Sequence, residues 1–174
     1  MTPQKIALFG YMGSGKSAIG SALSNDLGLP FFDLDSLMED SEGTSVQKLF
    51  AKKGELYFRK KEAEILEEFL STHDHYILAT GGGTPCYGNN LFFLEKSEAL
   101  TIYLQTPIPV LASRLKKEKS HRPMISHLND HEMVEFIGKH IFERSAYYTQ
   151  AKYHISCEEK NVEQIVEEIR EALV

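Results

Sequence analysis

Apolar and polar positions in this chain alternate between two rhythms. Short strand-like runs occupy 6–9, 30–35, 76–80, 100–104 and 153–156. Between them, apolar residues recur every three or four positions, which is the helical period. Helices are predicted over 18–27, with Ile19, Ala22, Leu23 and Leu27 on one face, and from Ser36 onward. Ser45 caps another, with Val46, Leu49 and Phe50 inward, until Lys53-Gly54 breaks the pattern. A helix over 55–70 follows, with Leu56, Ile65, Leu66, Phe69 and Leu70 as its apolar positions. Further helices cover 89–96, a segment opened by Pro107 or Pro109 and ending near Lys116, and 130–148. The last of these is capped by Asp130 and turns Met133, Phe136, Ile137 and Ile141 inward. Asn161 caps a C-terminal helix built on Val162, Ile165, Val166, Ile169 and Leu173. The polar stretch 117–129 has few core residues and reads as a mobile flap.

Strands that alternate with helices predict an α/β fold: a parallel sheet flanked by helices on both faces. Ligands of such sheets bind beyond the carboxyl ends of the strands. Three of the five predicted strands end in residues suited to chemistry: a glycine loop, Asp33/Asp35 and Gly81-Gly82-Gly83.

The glycine loop is Gly10-Tyr11-Met12-Gly13-Ser14-Gly15-Lys16-Ser17. With a strand before it and a helix after it, it has the context of a P-loop. Backbone N–H groups must approach phosphate oxygens closely, and glycines leave that approach clear. The following helix offers its positive end to the anion. Lys16 supplies a point charge for the β- and γ-phosphates. The Ser17 hydroxyl stands where Mg²⁺ would bridge them.

Composition narrows the partners. The chain has 174 residues, enough for one domain with a sizeable core. A net charge of −6 leaves no broad basic surface for nucleic acid. Cys86 and Cys157 form no C-x-x-C pair, and the seven His lack metal-ligand spacing. No run is apolar enough to span a bilayer, and the chain enters a strand without a signal peptide. A soluble cytoplasmic protein is expected.

Each remaining constellation has a plain reading beside the functional one. Asp33 and Asp35, two apart on a strand, would face the same way. They fit a metal and a substrate hydroxyl, or simply a solvated strand end with a helix cap. Arg59 and Glu62 share a helix face, either as an exposed pair contributing about 0.3–0.5 kcal/mol or as a carboxylate clamp. Gly81-Gly82-Gly83 suits a ligand passing close to backbone better than a tight turn. Arg122, in Arg122-Pro123, is a loop charge or a flap cation that meets the transferring phosphoryl group. Arg144 complements a helix C-terminus or binds a second carboxylate oxygen.

Taken in order, Gly10-x-x-Gly13-x-Gly15-Lys16-Ser17, Asp33-x-Asp35, Phe58-Arg59-x-x-Glu62, Gly81-Gly82-Gly83, Arg122-Pro123 and Glu143-Arg144 resemble the shikimate kinases. The resemblance runs end to end and implies a nucleoside-monophosphate-kinase-like fold with a five-stranded parallel sheet. It implies a single kinase domain over 1–174, with substrate-binding helices at about 36–62 and a lid at about 112–128. The implied reaction passes the γ-phosphate of ATP to the 3-hydroxyl of shikimate, with Mg²⁺, on the route to chorismate and aromatic amino acids. By position, Gly13, Ser14, Gly15, Lys16, Ser17 and Ala18 would hold the nucleotide. Ser17 and Asp33 would serve the metal. Asp35 would act as base or orienting group. Arg59, Arg144 and Gly81–Gly83 would receive shikimate, and Arg122 would reach ATP from the lid. Lys160 is the nearest cation where many members carry an arginine near the adenine. A monomer is expected. The alternatives are a kinase for another hydroxylated acid such as gluconate, and a nucleotide-binding module without catalysis. Retention of Lys16, Asp35 and the arginines argues against the second.

Overall fold

The computed structural model describes residues 4–174; the first three residues of the domain expected over 1–174 lie outside them. Five strands form one parallel sheet: β1 (Lys5–Phe9), β2 (Phe31–Asp33), β3 (Tyr76–Ala79), β4 (Leu100–Gln105) and β5 (Tyr153–Ser156). Their spatial order is β2-β3-β1-β4-β5. The chain leaves β1 toward β2 and leaves β4 toward β5, on opposite sides. A crevice therefore opens at the carboxyl ends of β1 and β4, where open α/β sheets bind ligands.

Helices α1 (Lys16–Leu27), α2 (Leu34–Glu42), α3 (Val46–Thr72), α4 (Asn90–Lys96), α5 (Ile108–Lys117), α6 (Asp130–Tyr148) and α7 (Val162–Ala172) complete the fold. Strand alternation sorts the core into two layers. Ile6 and Leu8 of β1 join Ile19 and Leu23 of α1 and Ile165 and Ile169 of α7. Ala7 and Phe9 face the other way, toward Leu66 and Phe69 of α3, Leu94 of α4 and Tyr148 of α6. A parallel strand buried on both faces must be apolar, and β1 is so over its four buried residues, Ile6 to Phe9.

Several sequence expectations are corrected in detail. β2 ends at Asp33, and Leu34 already starts α2. Asp35 is thus helical, and the two aspartates do not share a strand face. Asp33 instead caps α2, accepting from the backbone N–H of Asp35 at 2.9 Å and of Ser36 at 3.4 Å. The expected break at Gly54 is a kink inside α3, with φ 82° and ψ 171°. Leu56, just past that kink, is 87% exposed and takes no part in the core. The cap of α6 is Asn129, not Asp130. Asn129 Oδ1 accepts from Glu132 N, and Glu132 Oε2 accepts from Asn129 N, both at 2.8 Å. Asp130 pairs with Lys116 at 2.7 Å. Ser45 and Asn161 cap α3 and α7 as expected.

The polar segment expected to be a mobile flap with few core residues has an anchor. Ile125 is fully buried in a cluster with Leu111 and Leu115 of α5, Met133 and Ile137 of α6, and Tyr11 of the P-loop. One branched side chain within polar surroundings gave no period to detect.

The cap assignment is testable in solution. Asn129→Ala should cost about 1 kcal/mol in urea denaturation, the usual loss for a helix N-cap. Asp130→Ala should shift the midpoint less, because its partner is an exposed lysine. The reverse ranking would return the cap to Asp130.

Candidate active site

The loop between β1 and α1 takes the turn that its glycines allow. Gly13 and Gly15 hold φ of 81° and 94°, a region that side chains disfavour. Lys16 folds back along the loop. Its Nζ donates to the carbonyls of Gly10 at 2.6 Å and Tyr11 at 3.1 Å. Burial pushes the Lys16 ammonium down to about 8, against the upward pull of the Asp35 and Asp33 charges. Ser17 Oγ donates to Asp33 Oδ2 at 2.8 Å, tying α1 to the end of β2. Ser14 is buried, and Ala18 lies exposed one residue beyond Ser17 on α1.

Asp35 projects from the first turn of α2 into the same space. Burial raises its carboxyl to about 6, helped by the nearby Asp33 and Glu62 charges and opposed by Lys16. The two aspartates have therefore separated their roles. Asp33 is committed to capping and to Ser17, while Asp35 carries the perturbed carboxyl.

Beyond Asp35 lies a cavity of about 290 Å³. Phe58 and Phe50 of α3 form an apolar wall, Arg59 and Arg144 stand on it as cations, and the loop after β3 closes one side. The Arg59–Glu62 pair is not the exposed helix pair that spacing alone permits. Nη1 of Arg59 donates to Glu62 Oε1 at 2.9 Å, and Glu62 is only 1% exposed. The other carboxylate oxygen of Glu62 accepts from Thr84 Oγ1 at 2.9 Å. Arg59 Nε is buried without a protein partner.

The triple glycine is explained by approach, since none of the three has a positive φ. A Cβ on Gly83 would lie 2.5 Å from Arg59 Nη2. One on Gly82 would lie 3.3 Å from both Arg144 Nη1 and the Met12 amide nitrogen. One on Gly81 would meet Thr84 Oγ1 at 2.8 Å and Asp35 Oδ1 at 3.4 Å. Each glycine thus makes room for a different functional group. Tyr148, buried beneath, donates its hydroxyl to the Gly82 carbonyl and fixes the loop.

Arg144 and Arg122 reach the cavity from α6 and from the segment before it. Arg144 lies over the Tyr11 ring, 5.6 Å from its centroid. Arg122 pairs with Glu118 through Nε at 2.9 Å and Nη2 at 2.8 Å, and its Nη1 lies 3.8 Å from Met12 Sδ. Gln47 of α3 donates to the His121 carbonyl, so that segment already touches α3 across the cavity.

Lys160 is set apart from this group. It follows β5, forms an ion pair with Glu168 of α7 and does not line the cavity. Sequence reading missed Arg114 of α5, whose Nη1 donates to the Gly13 carbonyl at 3.0 Å. The charges of Arg114 and Lys160 both act on the Cys157 thiol, so both cations lie near the end of β5. A lone arginine in a basic helix end carried no signal. Also missed were Tyr148 and His140; Tyr11 Oη and His140 Nδ1 are 2.9 Å apart, joining the P-loop to α6.

Comparison with known proteins agrees with this geometry. A family model described as shikimate kinase matches residues 12–174. A shikimate kinase from Flavobacterium psychrophilum is 44% identical over 170 residues, covering 98% of this chain and 99% of that protein. Among solved structures, shikimate kinase from Bacteroides thetaiotaomicron superposes with a TM-score of 0.89 at 33% identity, covering 97% of this chain and 98% of that one. Shikimate kinase from Acinetobacter baumannii, solved with shikimate, gives 0.88 at 29% identity, covering 98% and 93%. These likenesses run over nearly the full length of the chain, and on them the chain belongs to the shikimate kinase family of ATP-dependent phosphotransferases.

Proposed function

We propose that the chain transfers the γ-phosphoryl group of ATP to the 3-hydroxyl of shikimate, giving 3-phosphoshikimate and ADP, on the route to chorismate and aromatic amino acids. The observation that carries this is the arrangement of Arg59, Arg144 and Asp35 around one cavity beside the P-loop. Two guanidinium groups suit a carboxylate, and a carboxyl with a raised pKa suits a hydroxyl. Shikimate bears both groups on one small ring.

In this reading the loop amides and Lys16 hold the β- and γ-phosphates, and Lys16 offsets the charge that develops between them. To receive them, Lys16 Nζ exchanges the Gly10 and Tyr11 carbonyls for phosphate oxygens. Arg59 and Arg144 bind the substrate carboxylate, and Gly81–Gly83 lie against its ring. The substrate oxygen bonds to the γ-phosphorus as the bond from that phosphorus to the β–γ bridging oxygen breaks. ADP leaves with the electron pair, and the hydroxyl proton passes to Asp35. Arg122 turns from Glu118 onto the transferring group, and lid closure over 112–128 excludes water as a competing acceptor. Arg114, Ala18 and Lys160 attend the nucleotide; Lys160 does so by exchanging its Glu168 partner.

Mg²⁺ belongs to the same proposal. Ser17 Oγ and the Asp33 carboxylate lie side by side as hard oxygen donors. Among the described residues there is no cluster of three or more His, Cys, Asp or Glu fit for a metal. Two such oxygens suit an ion that is otherwise bound by waters and substrate phosphates. Ser17 would hold it directly and Asp33 through water, where it would neutralise charge between the phosphates. A monomer suffices, since one chain supplies every residue named. A cytoplasmic setting goes with two free thiols. Among the described residues no helix is long and apolar enough to cross a membrane.

The primary test is a coupled assay of ADP release with and without shikimate, run beside a gluconate control. Shikimate-dependent release supports the proposal; preference for gluconate overturns it. In that assay Lys16→Ala should lower kcat by about 10²–10³-fold, the usual loss for an electrostatic contact to transition-state charge. Arg59→Ala should cost about 2–5 kcal/mol in kcat/KM for shikimate while ATP binding persists, because the change also strands buried Glu62. Unchanged kcat/KM would remove Arg59 from the carboxylate site.

Asp35 gives a pH dependence with a definite sign. A carboxylate accepts from the substrate hydroxyl, whereas its protonated form does not do so equally. Calorimetry without nucleotide or Mg²⁺ should show shikimate affinity constant above about 6 and falling as pH drops through that value. Asp35→Asn should flatten that limb. An acid limb that survives in Asp35→Asn would assign the titration to another group.

A further inference from the structure

Tyr87 lies just past the loop that carries the three glycines, and no role has yet fallen to it. Its ring packs against Arg59, with the guanidinium carbon 4.0 Å from the ring centroid. The Phe58 ring is the other aromatic neighbour of that guanidinium, at 5.2 Å. The Gly83 backbone lies so close to that guanidinium that a Cβ there would displace it. Tyr87 Oη donates to Glu55 Oε1 at 3.0 Å. Glu55 is the first residue after the Gly54 kink and stands one helical turn before Arg59. Tyr87 therefore touches the segment bearing Arg59 twice, once through its ring and once through its hydroxyl. It does not line the cavity itself.

We propose that Tyr87 is a positioning residue for substrate binding: its ring holds the Arg59 guanidinium in the plane that meets the carboxylate, and its bond to Glu55 fixes the ring. The physical need is plain. Glu62 engages only Nη1, which leaves the guanidinium free to swing about that contact. A ring against its face stops the swing without consuming a donor, because the attraction acts through the π-face and not through an N–H. Nη2 then stays available to a carboxylate oxygen as a charge-assisted donor. A hydrogen-bonding side chain in place of Tyr87 would compete for that donor.

This inference rests on the reading of Arg59 as the carboxylate ligand. The experiment separates the two by assaying Tyr87→Ala, Tyr87→Leu, Tyr87→Phe and Arg59→Ala together, with shikimate and with its uncharged methyl ester. Tyr87→Ala and Tyr87→Leu should each raise KM for shikimate about fivefold, the range of a partly exposed cation–π contact, and leave kcat and KM for ATP within about twofold. Tyr87→Phe, which keeps the ring, should recover most of that loss. With the methyl ester, the Tyr87→Ala and Tyr87→Leu penalties should vanish, because no charge remains for the oriented guanidinium to meet. Leu preserves bulk, so a merely structural role predicts that it behaves like Phe. An unchanged KM in Tyr87→Leu, or an equal penalty with acid and ester, overturns the inference. Should Arg59→Ala raise KM while the Tyr87 variants do not, the inference fails and the reading of Arg59 stands. Should Arg59→Ala leave KM unchanged, that reading fails first.

Discussion

The carboxylate of Glu62 is the constraint on which the cavity depends. It is buried to 1% exposure, and each oxygen is taken: one by Arg59, the other by Thr84. A buried carboxylate without partners is strongly unfavourable, so the structure must keep both. Meeting that demand locks α3 to the loop after β3, because the partners come one from each. Arg59 is thereby tethered through Nη1 to a wall made by two segments far apart in sequence.

Close approach follows from this lock. A Cβ on Gly83 would press on the Arg59 guanidinium, one on Gly82 on Arg144 and the Met12 amide, and one on Gly81 on Thr84 and Glu62. Three glycines cost conformational entropy on folding. Here that cost is offset by packing charged groups against bare backbone, with Tyr148 anchoring the Gly82 carbonyl from below. The same confinement produces the electrostatics. Desolvation acts in opposite directions on the two ionisable groups, raising the Asp35 carboxyl and lowering the Lys16 ammonium. Each then depends more strongly on its neighbours, which is how a dry site gains from a small number of charges.

The segment between α5 and α6 is anchored in the core and is not a free loop. Ile125 is held by α5, α6 and Tyr11 of the P-loop, while Arg122 and the His121 carbonyl contact groups on the far side of the cavity. The polar contacts are few and partly exposed, and the apolar anchor is dense. Motion is therefore expected to break the Arg122 and His121 contacts first and to pivot about the Ile125 cluster. In this arrangement the glycine loop and the segment around Ile125 share one apolar patch.

Much of this was legible in the one-dimensional pattern. Five strand-like runs and the helical period between them specify a parallel α/β sheet, since apolar side chains must leave water whatever their partners. The P-loop is equally local, because its turn depends on glycines and its anion site on the helix that follows. Local reasoning misled where two short-range signals competed. Asp130 and Asn129 are both good caps, and only the backbone path chose Asn129. Leu56 has the helical period but sits beside the Gly54 kink, which turns it to solvent. What the sequence alone determined was therefore the set of elements and the residues able to hold phosphate, metal and carboxylate. Only the tertiary structure decided which of them meet: that Glu62 is buried, that each glycine faces a different charged or polar group, and that Tyr87 covers Arg59. Those facts arise between segments dozens of residues apart, and no local spacing encodes them.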